Sequence, residues 1–315
     1  MSGPAANGEM RSVTSIDAAG RAPKGSSPAG SGRTAGRFRL GVPRLGTLNV
    51  GFAFVFIGLM ILLAITADWI PGLAKPDVGW GDFHATPTLD LNGLLGADTL
   101  GHSIVSRIIY GARISLVIAI VPTLVAMTIG LALGMIAGYY RGSVERVVDL
   151  YANSIASMPP LLLLLAIIAA TGASLWTMVL AMSFLQSGQY ARATKGAVIS
   201  HAGREYVLAA RALGASDVRI LIQEILPNLV PTLTAIVPPS MAILIVVEGS
   251  LSFLGYGIPP PAPSWGGMIA SSTDVLQLFP YLLIGPILAI VLTVYSLNTI
   301  GDYMSARINV REGQL

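Results

Sequence analysis

Six long apolar stretches fill most of the chain beyond residue 47, and they leave few folds open to it. They lie near Leu48–Trp69, Ile114–Ala137, Ile155–Ala170, Leu175–Leu185 with a polar extension to Tyr190, Leu229–Val247 and Phe279–Ile300. The hydrocarbon core of a bilayer takes about 20 apolar residues in helical form. Charged residues make up only 11% of the chain, against about 25% in a soluble domain. The expected fold is therefore an all-α polytopic membrane protein with six transmembrane helices. The third and fourth stretches are short and separated only by Thr171-Gly172-Ala173-Ser174, which reads as a tight hairpin, with a re-entrant pair as the alternative. Pro122, Pro231, Pro238, Pro239 and Pro286 fall inside stretches. Membrane helices tolerate such breaks where neighbours or a water-filled cavity satisfy the freed carbonyls.

Basic residues set the expected orientation. With the first residues inside, sixteen of the 19 lysines and arginines fall on inner segments, among them Arg37, Arg39, Arg141, Arg192, Lys195, Arg211 and Arg307. Only Lys75, Arg107 and Arg113 fall outside, alongside Asp68, Asp77, Asp82, Asp90, Asp98 and Asp274. The excess of Lys and Arg on one side predicts both ends in the cytoplasm. It also accounts for a net charge of +3 without a nucleic-acid partner. Residues 1–47 are rich in Gly, Ala, Ser, Pro and Arg and read as a disordered cytoplasmic tail. Residues 48–110 hold the first span and an external loop, 111–308 a core of five spans with an inner loop at 191–228, and 309–315 a short cytoplasmic tail.

Several chemistries are excluded or unsupported. The chain has no cysteine and three histidines, so thiolate sites are absent and a histidine-rich metal site is not expected. No H-E-x-x-H or phosphate-binding G-x-x-x-x-G-K-[ST] run occurs. An aspartyl site needs two carboxylates at membrane depth, and Asp302 has no such companion. No catalytic or metal-ligating residue is expected. Met127, Met135, Met178, Met182 and Met241 read as packing residues, and Gly130, Gly134 and Gly138 as a face for close helix approach.

The inner loop is the most informative segment. Glu205, Tyr206, Val207, Ala209, Ala210 and Arg211 form a short helix that Gly214 ends. Ala215 follows, and Ser216 or Asp217 caps a second helix that runs to Leu226 and stops at Pro227. The spacing alone leaves two roles open: docking on a partner, or lying on the lipid surface.

The run Ala209-Ala210, three residues, Gly214, and on to Leu226-Pro227 resembles the EAA loop of ABC importer permeases, with Leu208 where that family carries its glutamate and Glu205 close by. Glu224 stands where peptide permeases usually carry a basic residue. Leu95–His102 with Ser106-Arg107 and Tyr110–Leu116, Glu248–Gly257 with Pro259-Pro260 and Pro263–Gly266, and Leu297–Asp302 are similar to stretches of the C-type subunit of dipeptide and oligopeptide permeases. The resemblance covers about Leu45 to Asp302. It implies the type I importer permease fold and a coupling helix at Glu205–Asp217. It implies a second, unlike permease, one or two cytoplasmic ATPase subunits that bind ATP and magnesium, and an outside peptide-binding protein. No cofactor is expected on this chain itself. Some relatives carry nickel or glutathione instead.

Glu248 is the one acid expected at membrane depth, where a charge costs about 2.5–3.5 kcal/mol on insertion scales. It either faces a substrate path or lies near the outer interface and bonds the loop that follows. Phe253 and Trp265 are the other candidates for the path, Trp265 as an interfacial aromatic beneath a proline-rich loop. An ion-coupled secondary transporter would need more acids in its spans than Glu248 alone and would leave the inner loop unexplained.

Overall fold

The computed structural model describes residues 46–312. Most of the expected tail at 1–47, and residues 313–315, lie outside the described residues. Among the described residues the fold is helical, with one isolated β-bridge between Ala97 and Ser103. The helices are α1 (Thr47–Thr66), α2 (Ile104–Tyr140), α3 (Gly142–Ala156), α4 (Pro160–Thr171), α5 (Leu175–Ala202), α6 (Glu205–Ala212), α7 (Asp217–Arg219), α8 (Leu226–Phe253), α9 (Trp265–Ser272) and α10 (Tyr281–Glu312).

Four stretches are long and apolar enough to cross a membrane: Thr47–Trp69, Ile104–Tyr140, Asp217–Phe253 and Tyr281–Ile308. Together α3 and α4 pass as a fifth, bent by 87° at the break between them. Alone, α4 is about 18 Å long, short of the roughly 30 Å core. The 28-residue α5 is long enough, but its second half is too polar for it to count with the others. On α1 only Val50, Ala53 and Ala64 are buried, while Phe52, Phe54, Val55, Leu59, Leu62 and Ile65 are exposed. Small residues face the bundle and large apolar ones face out, the arrangement of a helix solvated by lipid.

The polar half of α5 is sheltered by α2. Gly130, Gly134 and Gly138 form a stripe on which α5 lies backbone to backbone: a Cβ at Gly134 would stand 2.6 Å from the Ala191 carbonyl oxygen, and one at Gly138 2.9 Å from that of Lys195. Ser183, Gln186, Ser187, Tyr190 and Thr194 are thereby buried in protein. On the other flank Lys195 Nζ donates to Asp149 (2.6 and 2.8 Å) and Glu145 (3.2 Å) of α3, and Arg192 Nη1 to the Ala152 carbonyl (2.9 Å). The expected hairpin is present: Gly172 ends α4 at φ +89° and Ser174 caps α5 by accepting from Thr177 N–H.

The C-terminal end of α1 is joined to α2 by Arg113, which donates to Asp68 (2.8 Å) and to the Ala64 carbonyl, and by Tyr110, whose hydroxyl donates to Asp68 (2.9 Å). Residues 70–103 form an irregular cap knitted by side chains. Asn92 accepts from Ala74 N–H and donates to the Gly72 carbonyl; Ser106 donates to the Ala74 carbonyl; Tyr281 of α10 donates to the His84 carbonyl. Asp98 takes Arg107 at 2.7 Å. Helix α2 thus starts at Ile104, ten residues before its expected apolar stretch, and α10 runs on through residues 309–312 of the expected tail.

Candidate coupling site and path residues

The inner loop is shorter than its expected span of 191–228, because α5 continues to Ala202. Helix α6 ends in a Schellman turn: Ala215 N–H donates to the Ala210 carbonyl (3.1 Å) and Gly214 N–H to that of Arg211 (3.0 Å). Gly214 sits at φ +81°, with nothing within 4 Å of where a Cβ would be. Its constraint is therefore backbone conformation alone. Ser216 caps α7, accepting from Arg219 N–H.

The second helix does not stop at Pro227. It passes through a π turn, Ile220–Ile225, and continues as α8 with Pro227 in its first turn. A proline in an α-helix strips one N–H and crowds the carbonyl four residues back. Around it Leu226 N–H reaches back to the Leu221 carbonyl, and the Asn228 side chain donates to the Glu224 carbonyl at 2.7 Å.

Val207, Ile220, Leu221 and Ile225 are buried with Met135, Val198, Leu229 and Leu233, which seats the loop on the C-terminal ends of α2 and α5 and the start of α8. Tyr206 is half-buried, with its hydroxyl 2.9 Å from His201 Nδ1, and burial raises its phenol above the ordinary value. Of the small pair, Ala209 is exposed and Ala210 faces the seat. Glu205, Arg211, Gly214, Ser216 and Asp217 are exposed, and Leu226 and Pro227 begin α8.

Sequence reasoning passed over two features here. Tyr139, at the C-terminal end of α2, donates to Asp217 (2.7 Å) and accepts from Arg211 (3.0 Å), whose guanidinium also lies 5.6 Å from its ring centroid. One phenol thus clasps both limbs of the loop to α2. Second, Leu208, Leu213 and Val218 are exposed, Leu213 at 89%. The signal for these was available, since they fall off the period set by Val207 and Ala210.

The three candidate path residues do not converge. Glu248 is fully buried, and its Oε1 accepts from the hydroxyls of Ser252 (2.8 Å) and Ser264 (2.7 Å). Ser264 also caps α9 by accepting from Gly267 N–H. Glu248 therefore fastens α9 to α8, through side chains of its own helix and of the loop. Trp265 is fully buried as well, rather than set at an interface. Its backbone N–H donates to Ser115 Oγ (3.2 Å) and its indole to the Ile108 carbonyl (2.9 Å), locking α9 onto α2. Phe253, five residues beyond Glu248 and so about 140° around the helix, is exposed beside Gly249, Leu254, Ile269 and Ile290. Among the described residues no cluster of His, Asp and Glu could hold a metal ion.

Comparison with known proteins places this architecture. Residues 130–312, from the glycine stripe to the end of α10, match the family model described as binding-protein-dependent transport system inner membrane component. The glutathione transport system permease protein GsiD of Pectobacterium atrosepticum is 37% identical over 66% of this chain and 69% of its own length. The di/tripeptide transport system permease protein DppC of Pseudomonas aeruginosa is 33% identical over 79% of this chain and 83% of its own. A chain of the inward-facing MetNI methionine ABC transporter superposes with a TM-score of 0.52 at 18% identity, covering 64% of this chain and 96% of that one, and so shares the fold. The protein belongs to the family of binding-protein-dependent transport system inner membrane components.

Proposed function

We propose that this chain is the membrane-spanning permease subunit of an ATP-driven importer of dipeptides or oligopeptides, in the bacterial cytoplasmic membrane. Six crossings are made by α1, α2, the bent pair α3–α4, α5, α8 and α10, with both ends cytoplasmic. The basic residues around Arg192, Arg211 and Arg307 support that orientation. A second, unlike permease completes the path, an outside protein delivers the peptide, and one or two ATPase subunits bind ATP and magnesium. This chain binds no cofactor. It transmits motion and lines half of a path.

The observation that carries the coupling role is the exposed face of the α6–α7 unit. Ala209 offers close approach, Leu208, Leu213 and Val218 offer apolar contact, and Arg211 and Asp217 are pinned to α2. An exposed apolar patch outside the spans marks an interface, and a partner that moves it pushes on α2 and α8 together. Relatives named for di/tripeptides and for glutathione support a peptide cargo and leave glutathione as the second reading.

Ala209→Trp tests the docking. In cells making the whole assembly, the variant should reach normal membrane abundance, lose uptake, and release the ATPase or leave it deaf to the loaded binding protein. Normal uptake would remove the coupling assignment. For cargo, deleting the gene should confer resistance to a toxic dipeptide or tripeptide mimic. Persisting sensitivity with lost nickel uptake would hand the cargo to nickel.

A further inference from the structure

We infer that the groove between the C-terminal half of α1 and α2 holds a phospholipid with a phosphoethanolamine headgroup, its phosphate on Arg113 and its ammonium on Asp68. The inference goes beyond the importer reading and does not depend on it. The groove has a volume of about 490 Å³. Ile61 and Ile65 of α1 and Leu116, Val117 and Ile120 of α2 make its walls apolar, and Arg113 lines it at one end. From Arg113 to Ile120 it follows α2 for about 10 Å. Helix α1 has 20 residues and is about 30 Å long, the thickness of the hydrocarbon core. Asp68 and Arg113 therefore lie at one edge of the core, and the apolar groove runs inward from them, as a lipid does from its headgroup. Trp69, next to Asp68, is 76% exposed, and tryptophan at the end of a span sits at headgroup level.

The charges choose the headgroup. Arg113 donates through Nη2 to Asp68 (2.8 Å) and to the Ile65 carbonyl (3.2 Å), and through Nε to the Ala64 carbonyl. Its guanidinium also lies 5.1 Å from the Tyr110 ring centroid. Among the described residues its Nη1 has no partner, and a phosphate oxygen is a strong acceptor for it. Asp68 accepts from Tyr110 at one oxygen and from Arg113 at the other, which leaves lone pairs on both. Both side chains are within reach of lipid, Arg113 at 35% exposure and Asp68 at 60%. A fixed cation beside a fixed anion matches a zwitterion. Phosphatidylglycerol would set its phosphate beside the Asp68 carboxylate with no cation to offer in return. The quaternary ammonium of phosphatidylcholine has no N–H to donate, and the aromatic face that such a cation favours is taken up with Arg113. A primary ammonium has three N–H donors for Asp68.

The test uses the purified assembly, with any cysteines of the partner chains replaced, in bilayers of phosphatidylethanolamine, phosphatidylcholine and phosphatidylglycerol. This chain has no cysteine, so Ile61→Cys places a single bimane fluorophore in the groove wall. At equal mole fraction, phosphatidylethanolamine with brominated chains should quench it about threefold more effectively than brominated phosphatidylcholine, the scale of one exposed ion pair. A bimane at Val55→Cys, exposed on α1 away from the groove, should not distinguish the two. Asp68→Asn keeps an acceptor for Arg113 and Tyr110 and removes the anion, so the preference at Ile61→Cys should pass to brominated phosphatidylglycerol. Val117→Phe fills the groove without touching the ion pair and should abolish the preference, which keeps the test decisive if Asp68→Asn fails to assemble. Equal quenching by all three lipids at Ile61→Cys, or a phosphatidylethanolamine preference that survives Asp68→Asn or Val117→Phe, overturns the inference. Weak quenching by every lipid at Ile61→Cys overturns it in favour of a helix of the second permease covering the groove. None of these measurements involves transport, so failure of the importer reading would leave the result standing.

Discussion

Adding one methyl group at Gly134 should destabilise the bundle, although alanine is the better helix former. The new Cβ would stand 2.5 Å from Thr194 Cβ, 2.6 Å from the Ala191 carbonyl oxygen and 2.9 Å from Lys195 N. Carbon atoms settle at about 3.5–4.0 Å, so α2 and α5 must part by about 1 Å. Two of the three obstructing atoms are backbone and cannot rotate away. Overpacking of this kind costs about 1–3 kcal/mol, and the helix preference of alanine returns at most about 1 kcal/mol. Gly196, on the same α5, has nothing within 4 Å of its would-be Cβ. Gly196→Ala should therefore gain up to about 1 kcal/mol. The contrast between the variants should be about 2 kcal/mol, read as opposite shifts of the unfolding midpoint in a mixed-micelle titration. If Gly134→Ala unfolds no earlier than Gly196→Ala, the glycine stripe is not what seats α5.

The remaining expectations concern the ends of the spans and the inner loop. A single cysteine at Thr88 should react with an impermeant maleimide on intact cells and one at Ser216 should not; labelling at 216 from outside would reverse the topology. Ser264 serves poorly as an outer reporter because it is buried. Gly214→Val should strain the turn by on the order of 1–3 kcal/mol and abolish uptake, while Gly214→Asn, which tolerates positive φ, should keep most of it; equal uptake in both variants would mean the turn's conformation is irrelevant. Tyr139→Phe keeps the ring and removes both hydrogen bonds, so ATP hydrolysis should continue at a lower ratio of uptake to turnover, and an unchanged ratio would show that the clasp transmits nothing.

The helices with one lipid face were legible from residue types alone. The apolar runs of α1, α2, α8 and α10 require lipid, and Gly214 announced its turn by position. The extent of α5 was not legible, because hydropathy treats Gln186, Tyr190 and Thr194 as unfit for a bilayer. Their shelter depends on glycines sixty residues away on α2. Trp265 reads as an interfacial aromatic by type, and only the tertiary partners Ser115 and Ile108 reveal it as buried packing. The path of the chain at Pro227 was hidden for a different reason. Pro227 reads as a stop by residue type, whereas it sits in the first turn of α8, directly after the π turn at Ile220–Ile225. The clasp at Tyr139 joins residues more than seventy positions apart and has no local pattern at all.

That continued run has a mechanical consequence. From Asp217 to Phe253 the chain forms one 37-residue helical stretch, about 55 Å end to end. It has the geometry of a lever whose short arm is the inner loop and whose long arm crosses the bilayer. A rigid stretch of that length tilted by about 5° at α7 would carry its far end by about 5 Å. Fastened to that end through Glu248 and Ser264 is α9, while the π turn and Pro231, Pro238 and Pro239 divide the run into segments, the places where a helix bends.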